Sequence, residues 1–261
     1  MRLELRFYSE LNDFLPAARR GRAFAHAVAG RPAVKDVIES LGVPHTEIDL
    51  ILVNGESVGF QHRVRDGDRV SVYPVFEALD LGPLLRLRPA PLRQPRFVAD
   101  VHLGRLAAYL RAFGFDTLFD RAWDDAALAA VSAREQRTLL TRDRGLLKRS
   151  AVQRGYLPRA LQPRAQLLEV LARFDLLPAA RPLTRCIRCN GLLEPTTAAR
   201  VAERLPPAVA AAGHRDLRRC PDCKACYWPG SHHRRLQAFI ESVRAELGGR
   251  AAEAPTPRAA P

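Results

Sequence analysis

Apolar and polar residues alternate at Leu3, Leu5 and Phe7 and again from Arg22 to Val28, the period-two pattern of half-buried strands. Helical spacing follows at Val34, Val37, Ile38 and Leu41, closed by Gly42. Ile48 to Val53 reads as a strand ending in an Asn54-Gly55 turn, and Arg69 to Val75 as a last strand entered through Asp66-Gly67-Asp68. The predicted order over residues 1–80 is ββαββ. Pro83, Pro89, Pro91 and Pro95 then interrupt an Arg- and Leu-rich stretch, so residues 81–96 are expected to form a semi-rigid linker.

From Phe97 the pattern changes to short apolar runs separated by helical spacing. Phe97-Val98-Ala99 ends on Asp100, Leu103, Leu106, Ala107, Leu110 and Phe113 share a helical face, and Gly114 stands where a C-terminal glycine cap belongs. Phe115 to Phe119 is a second predicted strand, and a helix opens at Asp124-Asp125, with Asp124 as N-cap and Asp125 in the first turn. Thr138 to Thr141 is a third strand, running into Arg142-Asp143. A helix from Gly145 to Arg149, a short strand around Gly155-Tyr156-Leu157 and a helix from Arg164 to Phe174 complete an alternation that predicts a parallel α/β sheet with right-handed crossovers.

Ligands of open parallel sheets gather at the carboxyl ends of the strands, where this chain puts Asp100 and Asp143. Two carboxylates at adjacent strand ends repel without a cation, so they predict a metal site for Mg²⁺ or Mn²⁺, with Asp125 as third acid and Asp116 or Asp124 as additional acids. Such ions hydrolyse phosphodiesters without a nucleophilic side chain. Arg105, Arg142 and Arg144 flank the acids as phosphate or RNA contacts, or as simple partners of the carboxylates.

Charge supports a polyanionic partner. The chain of 261 residues carries a net charge of +13, and 38 of its 41 basic residues are arginine. Residues 1–80 balance at −2 while residues 81–261 reach +15, which favours nucleic acid as partner of the second part, against the alternative that a GC-rich genome inflates arginine. No apolar run approaches the roughly 18 residues of a membrane span, and Met1-Arg2-Leu3-Glu4-Leu5-Arg6 lacks a signal peptide's apolar stretch, so a cytoplasmic protein without membrane contact is expected.

Cys186-x₂-Cys189 and Cys220-x₂-Cys223 present four thiolates suited to a structural Zn²⁺, across a 30-residue spacer whose Ala-rich stretch from Ala198 to Ala212 is expected as a helix. Cys226, a fifth thiol, reads as a competing ligand or a buried free cysteine. His232 and His233 are candidates for a phosphate or the zinc, against helix capping or a surface role. Leu236, Phe239, Ile240, Val243 and Leu247 continue at helical spacing as a closing helix, and residues 248–261 are expected to be a disordered tail.

Two resemblances attach to these motifs. Val53-Asn54-Gly55-Glu56 with Asp66-Gly67-Asp68-Arg69-Val70 resembles the ubiquitin-like β-grasp domains of sulfur carriers, although Val75-Phe76-Glu77-Ala78 replaces their terminal Gly-Gly, so a packing role or a protein partner is expected in place of carrier chemistry. Phe97-Val98-Ala99-Asp100-Val101-His102-Leu103-Gly104-Arg105, Gly114-Phe115-Asp116-Thr117, Leu139-Leu140-Thr141-Arg142-Asp143-Arg144 and Tyr227-Trp228-Pro229-Gly230-Ser231-His232 resemble the PIN-related ribonucleases named after the mutator-seven C-terminal domain. The resemblance implies a PIN-like nuclease domain over 97–180 and a zinc-ribbon module with its closing helix over 181–247, behind an α+β ubiquitin-like β-grasp domain over 1–80. It also implies that Asp100, Asp125 and Asp143 form the metal site of a metal-dependent ribonuclease. A non-catalytic RNA- or ribosome-binding protein and a ubiquitin-like adaptor are the alternatives.

Overall fold

The computed structural model describes residues 1–74, 95–212 and 214–253. Two compact units interleave along the chain: Met1–His102 with Ala122–Leu157, and Leu103–Arg121 with the chain from Pro158 onward.

In the first unit β1 (Arg2–Phe7), β2 (Phe24–Ala27), α1 (Val34–Ser40), β3 (Ile48–Val53), β4 (Glu56–Ser57) and β5 (Arg69–Pro74) form a mixed sheet in the order β2-β1-β5-β3-β4. Central β1 and β5 run parallel with Phe7 beside Val72, and the other neighbours are antiparallel. The alternating residues Leu3, Leu5, Phe7, Val70 and Val72 share one buried cluster with Val34, Val37 and Ile38 of α1. Asn54 and Gly55 both take left-handed backbone, φ 53° and 89°, which a two-residue hairpin between β3 and β4 requires. β4 itself is too short to show alternation, so the sequence pattern omits it.

The same unit continues with β6 (Arg96–Ala99). α2 (Gly104–Ala112) and β7 (Asp116–Leu118) belong to the second unit, and α3 (Asp125–Glu135), β8 (Thr138–Leu140), α4 (Arg144–Leu147) and β9 (Gly155–Tyr156) return to the first. β6, β8 and β9 are parallel neighbours in that order, with Ala99 beside Leu140 and Leu140 beside Tyr156, and α3 packs on β6 and β8. The expected linker falls mostly on residues outside those described, and Arg96 already opens β6.

The β-grasp domain is fastened to this layer through polar contacts. Lys148 Nζ donates to the Glu39 carbonyl at 2.7 Å, the Leu157 amide donates to Glu47 Oε1 at 2.7 Å, and Leu157 packs on the β-grasp core. Buried His45 lies 2.7 Å from Glu39 Oε1 through Nδ1 and 2.9 Å from the Val152 carbonyl through Nε2. Burial, the largest single influence, raises the Glu39 carboxyl, but the His45 hydrogen bonds and the charges of His45 and Lys35 together hold the group below its ordinary value.

The second unit adds α5 (Pro163–Arg173), β10 (Glu194–Thr196), α6 (Ala198–Val201), α7 (Pro207–Ala211), β11 (Leu217–Arg219), β12 (Cys226–Tyr227) and α8 (Ser231–Glu253). α5 packs on α2 and on α8, and the rings of Tyr109 and Phe239 meet at 4.7 Å. β10, β11 and β12 form an antiparallel sheet. The Ala-rich spacer is not one helix, because Pro206-Pro207 breaks it into α6, a 3₁₀ turn and α7. α8 runs on to Glu253, beyond the expected start of the tail at 248, and residues 254–261 lie outside those described.

Candidate functional site

Parallel pairing of β6 and β8 puts the residues after their last rungs side by side, and these are Asp100 and Thr141. Thr141, fully buried, donates its hydroxyl to Asp100 Oδ2 at 2.7 Å and accepts the Asp143 amide at 3.0 Å. One side chain thus sets the carboxylate of one acid and the backbone of the next. Asp143 caps α4, its Oδ1 accepting from Gly145 N at 2.6 Å and Leu146 N at 3.3 Å. Asp124 caps α3 by accepting from Ala127 N at 2.8 Å, which leaves Asp125 as the first helical residue.

Asp100, Asp125 and Asp143 line one open cavity of about 640 Å³, together with Val101, His102, Trp123, Asp124, Ala126, Arg142 and Arg149. Asp100 is 8% exposed and the other two acids stand nearer solvent. Asp125 Oδ2 pairs with Arg149 at 3.5 Å. Among the described residues, Asp100 Oδ1 and Asp143 Oδ2 accept no hydrogen bond. Hard carboxylate oxygens of this kind fit Mg²⁺ or Mn²⁺ completed by water. The acids ring the cavity more widely than the compact cysteine group described below.

The remaining candidates are dispersed. Arg142 lines the cavity, whereas Arg144 turns its guanidinium over the Phe14 ring at 5.2 Å, and exposed Arg105 stands on α2 in the second unit. Asp116 is likewise in the second unit, where Oδ1 accepts Asn190 Nδ2 at 2.7 Å and Oδ2 lies 3.8 Å from Arg185.

In that unit Cys186, Cys189, Cys220 and Cys223 bring four sulfurs within 4.8 Å of one another, a group able to hold a metal ion. Two similar turns build it: the Asn190 amide returns to the Cys186 carbonyl and the Lys224 amide to the Cys220 carbonyl, with Asn190 and Lys224 at φ 78° and 63°. Burial raises the thiols of Cys189, Cys220 and Cys223. It also acts on Cys186, but the Tyr227 hydroxyl at 3.0 Å and the amides of Cys189 and Arg188 prevail and bring that thiol down to about 7. Arg111, 3% exposed, ties this site to α2 and β7, donating to the carbonyls of Thr117, Ile187 and Arg188. Cys226 is outside the group and packs beside Val201, Leu205 and Trp228. His232 is exposed and His233 half-buried at the start of α8.

The model of the Mut7-C RNAse domain matches residues 95–240, more than half of the chain. The chain belongs to the Mut7-C RNAse domain family. The model of the Mut7-C ubiquitin domain matches residues 1–80 ahead of it. Among solved structures, SAMP1 from Haloferax volcanii is similar at 18% identity, covering 30% of this chain and 100% of its own, with a TM-score of 0.24. No curated protein matches the chain.

Within the Mut7-C domain, sequence reasoning missed Trp123 and Arg149 in the cavity and Arg111, Asn190 and Tyr227 around the thiols. Trp123 had a readable signal, standing just before the Asp124 cap. Arg149 had none, since its pairing with Asp125 depends on how α3 and the segment after α4 come together.

Proposed function

We propose that this Mut7-C protein is a metal-dependent ribonuclease that hydrolyses RNA phosphodiester bonds at Asp100, Asp125 and Asp143. The supporting observation is that three separate elements, the end of β6, the first turn of α3 and the cap of α4, bring these carboxylates to one cavity. They would hold Mg²⁺ or Mn²⁺, which when bound activates water and offsets charge on the phosphodiester. Thr141 keeps Asp100 oriented, and Arg142 and Arg149 offer guanidinium forks to phosphate oxygens. Zn²⁺ in the four-cysteine group serves structure alone, because a closed set of four thiolates leaves no open position for substrate.

The test is cleavage of labelled single-stranded RNA with Mn²⁺ by the wild type and by Asp100→Asn and Asp143→Asn. Each substitution is expected to cost more than the roughly 10- to 100-fold typical of losing a residue that only orients a ligand. Cleavage that persists in both variants overturns the reading, and RNA bound but uncut by the wild type reassigns the protein to a non-catalytic RNA-binding role.

A further inference from the structure

Trp123 is half-buried, lines the same cavity as the three acids, and makes no ring-on-ring or cation–π contact among the described residues. It stands immediately before the N-cap of α3, so the Asp124 cap and the first turn at Asp125 fix its backbone. A large aromatic surface is thus held at a wet, charged cleft. Arg142 and Arg149 at the same cavity supply cations for a phosphate backbone. Aromatic faces beside guanidinium groups bind unpaired bases irrespective of sequence, because every base has a π-face, while a base within a duplex has both faces already stacked.

We infer that Trp123 is a stacking platform for one unpaired base next to the cleaved phosphodiester. This rests on the ribonuclease reading. Selection against duplex follows without any contact to a base edge, and little preference among the four bases is expected.

The experiment uses the full chain carrying Asp100→Asn, to prevent cleavage, and Trp228→Phe, to leave one indole. Short single-stranded RNA, the same RNA as duplex, and single strands with one abasic position are titrated while Trp123 fluorescence is followed. Single strands are expected to quench the indole, and Trp123→Ala to weaken their binding roughly 5- to 100-fold. Trp123→Tyr should restore most of that loss and Trp123→Leu, which keeps apolar bulk before the helix, should not. One abasic position should reproduce the Trp123→Ala loss in the otherwise unchanged chain. Equal binding by the Ala and Tyr variants, or equal quenching by duplex, overturns the platform. Cleavage by the enzyme with Asp100 intact separates the two readings: an active enzyme whose binding ignores Trp123 refutes the platform alone, whereas quenching without cleavage refutes the ribonuclease alone.

Discussion

Thr141 holds two acids in place with one hydroxyl, so its loss separates geometry from charge. Thr141→Val removes the bond to Asp100 and the bond from the Asp143 amide while keeping shape. RNA cleavage is expected to fall roughly 10- to 100-fold. Stability should drop by about 1–3 kcal/mol from the unpaired buried groups, read by denaturant titration. Asp143 serves two purposes, since Asp143→Asn retains a side-chain oxygen able to cap α4 and removes only charge, whereas Asp143→Ala also uncaps the helix. Asp100 and Asp143 were legible because an apolar run ending on an acid is itself a strand-end signal. Asp116 was not separable from Asp125 by such a rule: both follow aromatic or acidic neighbours, and only the Asn190 amide and Arg185 beside Asp116 reveal its different setting. The direction of Arg144 was not legible for a similar reason, because the Phe14 ring beneath its guanidinium is far away in sequence.

At the scale of elements, the end of α2 depends on one residue. Gly114 sits at φ 93°, and a Cβ built there would lie 2.1 Å from the Arg181 carbonyl oxygen. Gly114→Ala combines left-handed strain with a clash against backbone, and a loss of more than about 1 kcal/mol in thermal or denaturant unfolding is expected. The β-grasp fastening predicts a pH effect. The Glu39 carboxyl lies below its ordinary value of 4.5, so its contribution is complete above that value and fades as pH falls through the depressed one. With the intrinsic pH dependence of exchange divided out, the protection of the β9 amides should therefore fall on acidification below pH 4.5 in the wild type. Glu39→Gln should show weaker protection at neutral pH and less of that acid dependence. Equal profiles in the two proteins would place the fastening elsewhere. The ββαββ order was readable from alternation, but the contacts of Glu39, His45 and Glu47 with residues 148–157 were not, since pairing over a hundred residues leaves no periodic trace.

For the molecule as a whole, the four-cysteine group is expected to contribute folding energy once metal is bound. Chelation of a zinc-loaded preparation should lower the melting temperature by about 10 °C or more, with one equivalent of zinc released per chain. An unchanged melting temperature would reduce the group to an ornament of the fold. Cys226→Ser should release no zinc, as its thiol packs outside the group. Among the described residues no helix is long and apolar enough to cross a membrane. The chain passes between its two compact units at residues 102/103, 121/122 and 157/158. A recombination breakpoint placed anywhere from 103 to 157 would therefore split the inheritance of both units at once, so the Mut7-C region can be exchanged between genes only as a block. The segment over residues 1–80 shares its compact unit with residues 122–157 and bonds to them, so its loss would expose that seam.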